Sequence, residues 1–389
     1  MATELSGLRI GLLTTSASRL GGGVYEAVVH QAELIRMRGG EARVFALKDE
    51  FSRTDAERFA GAKVQWSRVR GPAQIGYAPD LVSRLTAANI DCLHLHGIWM
   101  YPSRAATSWS RKTGLPLLIS PHGMLDPVTL ARGRWKKWLA RHGYEYANWG
   151  TAHAFHALTD AEALNIRAAA GPVPCLVIPN AAPAPARAPC LSRAPLILFI
   201  GRIHAVKNVA GLLAGWQLAK LPADARLIIA GWGEAADLAW LEKAVAQIGP
   251  SVAYIGPVYG AQKQLLLNQA RFTVLPSFSE AFPIAVLEGW AAGAPTILSR
   301  ESNLSEAFAA GAAIECGVTD KTIAAAFEQA LNLSDAGWLA MAQAGRDLAT
   351  TRFSSEVISQ TWADAYQTIV AGTDRLPQVP VANVNMIRI

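Results

Sequence analysis

The sequence predicts an α/β protein made of two doubly wound domains, each with a parallel sheet. Three observations predict it. The 389 residues exceed what one hydrophobic core usually supports. Short apolar runs alternate with helix-length segments in both halves of the chain. A proline-rich stretch without periodicity separates the halves, as expected for a linker.

The predicted elements follow from the apolar runs in chain order. Candidate strands of the first domain are 8–14, 42–47, 92–96, 117–120, 154–157 and 176–179; those of the second are 196–200, 226–230, 252–255, 272–275, 295–298 and 312–316. Helical patterns at 335–348 and 354–371 close the fold. The predicted organisation is a first domain over 1–180, a linker over 181–195, a second domain over 196–350, a C-terminal helix over 351–371 and a tail over 372–389.

Composition and charge limit the kind of protein and the kind of partner. Hydrophobic residues make up 51% of the chain and charged residues 17%, which suits large cores and excludes disorder. No apolar run is long enough to span a membrane and the first residues do not read as a leader, so we expect a cytoplasmic protein. The four cysteines, Cys92, Cys175, Cys190 and Cys316, have no disulfide or zinc-site spacing. The net charge of +6 favours an anionic partner, and no nucleic-acid-binding module is present.

A glycine triplet, Gly21-Gly22-Gly23, follows the first predicted strand and precedes a helix. Backbone without side chains at a helix N-terminus can approach a phosphate or a sugar hydroxyl. A merely flexible turn explains the triplet equally well.

Two cations, Arg202 and Lys207, follow the first strand of the second domain. Ligands of open parallel sheets bind beyond the carboxyl ends of the strands. Arg can engage a diphosphate through two hydrogen bonds and Lys as a point charge, so both could stabilise a departing nucleoside diphosphate. Solvated surface cations are the alternative.

The most specific segment runs from Pro276 to Glu288 and contains two glutamates, Glu280 and Glu288, after a predicted strand. Pro283 can open a helix at its first turn, which would place Glu288 in the second turn. Glu280 could accept hydrogen bonds from sugar hydroxyls, and Glu288 from a ribose diol.

A fourth segment, at 132–142, groups Trp135, Trp138 and Leu139 on one helical face and cations on another. Such a helix can lie on an anionic membrane surface. Alternatively, the two tryptophans pack in the core beneath a solvated basic face.

In order along the chain, the glycine-rich turn, the Arg202 to Asn208 segment and the Glu280 to Glu288 pattern resemble glycosyltransferase family 4. The resemblance implies an α/β, GT-B fold with two facing Rossmann-like domains and a cleft between them. It also implies transfer with retention of configuration and no metal or other cofactor, and the sequence contains no Asp-x-Asp. The family pattern usually has glycines where Ala281 and Pro283 stand, which bears on the donor sugar.

Residue by residue, the resemblance assigns Arg202 and Lys207 to the diphosphate of the donor. It assigns Glu280 to the donor sugar and Glu288 to the ribose. His122, which lies in the first domain, is expected to face the donor sugar. The expected catalytic set is His122, Arg202, Lys207 and Glu280. The expected donor-binding set is Gly22, Gly23, Arg202, Lys207, Gly231, Gly233, Ser277, Glu280, Ala281, Phe282 and Glu288.

The function this predicts is transfer from a UDP- or GDP-sugar to a glycan or lipid-linked oligosaccharide acceptor in surface polysaccharide biosynthesis. A non-catalytic nucleotide-sugar-binding scaffold is one alternative. A nicotinamide-dependent oxidoreductase is another, because Gly231-Trp232-Gly233-Glu234-Ala235-Ala236 has GxGxxA form after a strand. This lone match follows the second strand of its domain rather than an initial one, so the loop is expected to face the donor nucleotide instead.

Overall fold

A computed structural model describes residues 4–59, 61–185 and 193–372. The middle of the predicted linker and the predicted tail beyond Gly372 lie outside these ranges. Within them the chain divides into two compact units. The first unit takes residues 4–179 and 358–372, and the second takes residues 180–357.

The first unit alternates strands and helices along almost its whole length. Its elements are β1 (Arg9–Ser16), α1 (Gly22–Met37), β2 (Glu41–Leu47), β3 (Lys63–Ser67), α2 (Leu81–Ala87), β4 (Cys92–His96), α3 (Tyr101–Thr113), β5 (Leu117–Ser120), α4 (Pro127–Ala131), α5 (Arg134–Ala140), α6 (Tyr146–Thr151), β6 (Ala154–Ala157), α7 (Asp160–Ala170) and β7 (Cys175–Val177). The seven strands form one parallel sheet in the order β3-β2-β1-β4-β5-β6-β7.

The second unit repeats the pattern. Its elements are β8 (Leu196–Ile200), α8 (Val209–Leu218), β9 (Arg226–Ala230), α9 (Ala235–Ile248), β10 (Val252–Tyr254), α10 (Gly260–Gln269), β11 (Phe272–Leu275), α11 (Ile284–Ala291), β12 (Thr296–Ser299), α12 (Ser305–Ala309), β13 (Ala313–Cys316), α13 (Asp320–Leu331) and α14 (Asp335–Thr350). The order β10-β9-β8-β11-β12-β13 is that of a dinucleotide-binding sheet, with all strands parallel.

The last helix, α15 (Ser355–Val370), begins in the second unit and continues into the first. Its buried side chains include Trp362 and Tyr366, which complete the first unit. The strands whose histidines these rings contact, β4 and β6, are buried along their entire length. Continuous burial is what a parallel sheet covered on both faces requires.

Every strand expected from an apolar run is present, within about two residues of its expected bounds. One strand, β3, was not expected. It lies at the edge of the sheet, and its sequence, Lys63-Val64-Gln65-Trp66-Ser67, is only partly buried. An edge strand needs fewer apolar residues than a central one, so hydrophobicity alone did not indicate it.

Candidate functional site

Two loops that leave the carboxyl ends of neighbouring strands form the centre of the candidate site in the second unit. The loop after β8 holds Arg202 and Lys207, and the loop after β11 holds Ser277 and Glu280. Asn208 joins them, because its side-chain amide donates to the carbonyl oxygen of Pro276 over 3.1 Å. The backbone amide of Phe278 donates to the carbonyl of Val206 over 2.8 Å. The two loops are therefore held in fixed register by hydrogen bonds.

Lys207 and Glu280 form an ion pair across these loops. The distance from Lys207 Nζ to Glu280 Oε1 is 2.5 Å, and the two side chains are only 20% and 9% exposed. The hydroxyl of Ser277 donates to the same carboxylate oxygen over 2.6 Å. Within the described ranges, Glu280 Oε2 accepts no hydrogen bond. One oxygen thus orients the carboxylate and the other is available to a ligand hydroxyl.

The backbone of Glu280 is held from a third loop, the one that follows β12. The amide of Asn303 donates to the Glu280 carbonyl over 2.6 Å, and the Glu280 N–H donates to the carbonyl of Glu301 over 3.1 Å. Asn303 adopts a left-handed backbone with φ of 55°, which asparagine tolerates better than most residues. The position of Glu280 is therefore fixed at both its backbone and its side chain.

Glu288 lies in the second turn of α11, as the sequence predicts, and pairs with a lysine that the sequence did not single out. Lys263 Nζ, on α10, lies 2.5 Å from Glu288 Oε1, and both side chains are largely buried. Each glutamate of the pattern is thus paired with its own lysine. Nothing in the sequence indicated Lys263, because its partner comes from a different helix.

Arg202 is exposed, and its guanidinium lies over a tryptophan ring of the loop after β9. Its guanidinium carbon is 4.9 Å from the centre of the Trp232 ring, and its Nη2 is 3.3 Å from Glu234 Oε1. A guanidinium stacked on an aromatic face keeps several N–H donors free for an anion. Trp232 therefore orients Arg202 without consuming its hydrogen-bonding capacity.

The two glycines of the Gly231-Trp232-Gly233 segment have a structural explanation. A Cβ at Gly231 would lie 1.8 Å from the carbonyl oxygen of Gly201, and one at Gly233 would lie 2.6 Å from that of Ile203. The two backbones are joined by the hydrogen bond from the Ile203 amide to the Trp232 carbonyl, at 2.7 Å. Close approach of these loops, rather than a dinucleotide fingerprint, accounts for the GxGxxA match.

Ala281 and Phe282, the other expected donor-binding residues beside Glu280, differ in how far their side chains are buried. Ala281 is half-buried, whereas the side chain of Phe282 is buried and packs edge-on against Phe353 with ring centres 5.7 Å apart. Only the backbone of Phe282 is therefore open to a ligand.

The first unit carries the glycine-rich turn at the end of β1. Gly22 adopts φ 54° and ψ −129°, a conformation strongly disfavoured for residues with a side chain, whereas a Cβ at Gly23 would meet nothing within 4 Å. Asp55 fixes the turn by accepting bonds from the backbone and the guanidinium of Arg19. Gly22 is thus required by the backbone, and any requirement at Gly23 must come from a ligand.

His122 follows β5 and also has a left-handed backbone, with φ of 53°. The next residue, Gly123, donates its N–H to Glu162 Oε1 over 2.6 Å, which anchors the loop. His122 Nε2 lies 3.0 Å from Nδ1 of His96. Burial lowers the pKa of His122 to about 3, so its imidazole is neutral at physiological pH.

The tryptophan-bearing segment forms α4, α5, a single π-helical turn over Arg141–Glu145, and α6. Trp135 is 66% exposed and Trp138 is 59% exposed. The alternative that these tryptophans pack in the core is therefore wrong. Leu139 and Tyr146 are exposed as well, beside the exposed cations Arg134 and Lys136. Within the described ranges, no helix is both long and apolar enough to cross a membrane.

Two family models match consecutive parts of the chain. Residues 22–181 match the glycosyl transferase 4-like domain, and residues 194–334 match glycosyl transferases group 1. The chain belongs to the glycosyltransferases that these two models describe. The expected resemblance is confirmed, and the two matched regions correspond closely to the strand-helix repeats of the two units.

Solved glycosyltransferase structures share the fold. Anabaena HepE, crystallised with UDP and glucose, superimposes with a TM-score of 0.78 at 16% identity, covering 93% of this chain and 100% of that one. Sucrose-phosphate synthase from Thermosynechococcus elongatus gives 0.74 at 17% identity, covering 94% and 100%. Together with the two sheets, these matches establish the GT-B fold, with two Rossmann-like domains.

Curated relatives match over shorter stretches. An uncharacterized glycosyltransferase of Methanocaldococcus jannaschii is 34% identical over 113 residues, 28% of each chain. The O-antigen chain mannosyltransferase B of Escherichia coli is 30% identical over 173 residues, 42% of each chain. The matched region spans less than half the length of either relative.

Proposed function

We propose that this glycosyltransferase transfers a sugar from a UDP- or GDP-sugar to an acceptor hydroxyl, with retention of anomeric configuration and without a metal ion. The observation that carries the proposal is the Lys207–Glu280–Ser277 cluster. It holds one largely buried cation beside a carboxylate that has one oxygen oriented and the other open. This is the pairing of charges that a departing diphosphate and a sugar hydroxyl require.

The two charges suit different parts of the donor. As the bond between the anomeric carbon and the phosphate oxygen breaks, negative charge grows on the diphosphate. Lys207 and the stacked Arg202 can stabilise that charge in place of a metal ion. Glu280 Oε2 accepts a hydrogen bond from the sugar, and Glu288 accepts those of the ribose diol. Binding and leaving-group stabilisation thus come from separate residues.

Retention follows in this proposal from attack on the same face as the departing group. The acceptor oxygen forms its bond to the anomeric carbon as the bond to the phosphate oxygen breaks. A β-phosphate oxygen takes the proton of the acceptor hydroxyl, and the nucleoside diphosphate leaves. The protein's contribution is positioning and electrostatic stabilisation.

We further propose a lipid-linked acceptor in surface polysaccharide assembly, reached from an anionic membrane surface. The name of the Escherichia coli mannosyltransferase supports an O-antigen-like pathway. The exposed Trp135, Trp138 and Leu139 beside Arg134 and Lys136 support the membrane contact. Tryptophan prefers the headgroup region, and cations attract anionic lipid.

Donor binding is tested by thermal unfolding with UDP, GDP, ADP, their sugar conjugates and NAD, each with and without EDTA. A ligand that binds only the native state raises its apparent stability. We expect an EDTA-insensitive rise with UDP or GDP compounds. A rise that EDTA abolishes would overturn metal independence, and a rise with NAD alone would overturn the function. UDP-glucose is the first donor to try because HepE was crystallised with it.

Turnover separates the enzyme from a non-catalytic binder. The protein is incubated with the stabilising donor and a bacterial lipid extract, and the anomeric configuration of the product is read by NMR. Product with the donor's configuration supports the proposal, inverted product contradicts retention, and binding without turnover favours the scaffold.

Membrane binding is tested by sedimentation with vesicles of neutral lipid, with or without about a third anionic lipid. We expect binding only to the anionic vesicles, reduced by salt and lost in a Trp135→Ala/Trp138→Ala double variant. Trp240→Ala is the matched control, because Trp240 is exposed but lies in the second unit. Equal binding by all variants would refute the contact.

A further inference from the structure

Four histidines cluster on one side of the first unit's sheet. His94 and His96 are two residues apart on β4, so their side chains lie on the same face, with ring centres 4.0 Å apart. His156 on β6 and His122 after β5 complete the group. His94, His96 and His156 are buried, and only His122 is partly exposed.

Two of these histidines, His94 and His156, belong to one hydrogen-bonded chain whose direction is fixed by its ends. His156 Nε2 lies 2.7 Å from the carbonyl of Ile178, which can only accept, so the proton of His156 is on Nε2. Its Nδ1 therefore accepts from the hydroxyl of Ser120 over 2.6 Å. The Ser120 oxygen in turn accepts from His94 Nε2 over 2.6 Å.

The other end of the chain agrees with this direction. With its proton on Nε2, His94 accepts at Nδ1 from the hydroxyl of Tyr366 over 2.8 Å. Tyr366 then accepts from the side-chain amide of Gln31 over 2.9 Å, and an amide nitrogen can only donate. Both nitrogens of His94 are occupied, so His94 offers His96 no hydrogen bond although the rings are adjacent.

His96 is consequently limited to His122. Its Nδ1 lies 3.0 Å from His122 Nε2, and the two ring planes are within 18° of each other, which suits a hydrogen bond in the plane of the rings. His96 is 3% exposed, and its Nε2 has no partner among the described residues. A buried N–H without an acceptor is rarer than a buried acceptor without a donor. This favours a His96 whose proton is on Nδ1, where it has a partner.

We propose that His96 is a positioning residue that sets the tautomer of His122. By donating from Nδ1 to His122 Nε2, it places the proton of His122 on Nδ1, the nitrogen outside the pair. The partly exposed imidazole then presents an N–H donor of fixed direction, suited to an oxygen atom of a bound sugar or acceptor. This catalytic consequence rests on the proposed function, whereas the tautomer does not.

Two further features support a single hydrogen-bonded arrangement of His96 and His122 in which both rings are neutral. Burial lowers the pKa of His96 well below its usual value, so one shared proton, not two, lies between the rings. The bond from Gly123 to Glu162 holds the loop that carries His122. The backbone of His122 is therefore held at the position from which its ring reaches His96.

The test is NMR of protein labelled with ¹⁵N in histidine, which distinguishes protonated from unprotonated ring nitrogens. His122→Asn identifies the His122 signals. We expect His122 to carry its proton on Nδ1 in the unaltered protein and in His96→Asn, whose side-chain amide can replace the Nδ1 donor. In His96→Leu we expect a mixture of tautomers. A proton on His122 Nε2 in the unaltered protein, or no change in His96→Leu, would overturn the proposal.

Turnover provides the second readout. We expect kcat to fall roughly tenfold in His96→Leu, the effect of losing one oriented hydrogen bond, and to recover in His96→Asn, with KM for the donor little changed. Equal loss in both variants would contradict the catalytic consequence. If the unaltered protein transfers no sugar, the proposed function fails, and the NMR result still decides the role of His96.

Discussion

Lys207 Nζ and Glu280 Oε1 lie 2.5 Å apart across two loops that leave adjacent strands, with Ser277 donating to the same oxygen. The pair joins the residue expected at the diphosphate to the residue expected at the sugar. A change at one side chain therefore alters the environment of the other.

We expect Glu280→Gln to lower turnover on the order of 10²-fold with a smaller effect on nucleotide affinity, because the amide cannot replace an oriented carboxylate. Lys207→Met should lower both turnover and affinity, since the diphosphate loses one of its two cations. Because the two side chains contact each other, the free-energy change in the double variant should be smaller than the sum of the changes in the two single variants. Steady-state kinetics and calorimetric titration of UDP measure these effects. Glu306→Gln, which breaks a surface pair with Arg352 in the same unit, is the control and should behave as the unaltered protein.

Glu288 is expected to recognise the ribose diol, which predicts discrimination against 2′-deoxy-UDP. The unaltered protein should bind UDP about tenfold more tightly than 2′-deoxy-UDP, the equivalent of one hydrogen bond. Glu288→Ala should weaken UDP binding and remove the discrimination. Lys263→Met should weaken it partly, because the carboxylate loses its partner. Discrimination that survives in Glu288→Ala would place the ribose elsewhere.

The glycines separate into structural and ligand-facing positions. Gly231→Ala should destabilise the protein strongly, because its Cβ would overlap the Gly201 carbonyl, and Gly22→Ala should cost about 1–3 kcal/mol through its backbone conformation. Gly23→Ala should leave the thermal unfolding temperature unchanged. If donor or acceptor approaches this turn, ligand affinity in Gly23→Ala will fall while stability does not. A large loss of stability in Gly23→Ala would contradict the geometry.

The buried histidines predict sensitivity to mild acid. Burial lowers the pKa of His156 to about 4 and that of His122 to about 3, and it lowers the pKa values of His94 and His96 well below the usual range. Below pH 6.5 these histidines bind protons in the unfolded chain but remain neutral in the folded protein. Each histidine can then lower the free energy of unfolding by up to about 1.4 kcal/mol per pH unit.

Two buried carboxyl groups oppose this trend. Burial raises the pKa values of Glu145 and Glu162, so the folded state binds their protons more readily above pH 4.5 and gains stability on acidification. Because four imidazoles lower the free energy of unfolding on acidification and only two carboxyl groups raise it, the net change is a loss of stability. We therefore expect the urea midpoint of unfolding to fall between pH 6.5 and 5. A midpoint that is constant from pH 7 to 5 would show that the imidazoles titrate normally.

The sequence predicted most of the fold because parallel strands, buried on both faces, are continuous apolar runs. It could not predict that α15 joins the first unit, since an amphipathic helix does not indicate which sheet it covers. The site shows the same division. Glu288 could be assigned to the second helical turn from Pro283 alone, whereas Lys263 depends on how two helices pack. His96 was missed although two histidines alternating on an apolar strand must share a face, a signal that could have been used.

The return of the chain into the first unit affects the order in which the molecule can be completed during synthesis. Tyr366, which donates to His94, is among the last described residues to be translated. A nascent chain that ends at residue 180 therefore has its seven strands but lacks the tyrosine that satisfies His94 and the Trp362 ring that packs beside His156. The unit that is translated first is therefore completed last, and a fragment that ends at the linker would leave His94 and Gln31 without the hydroxyl that both contact.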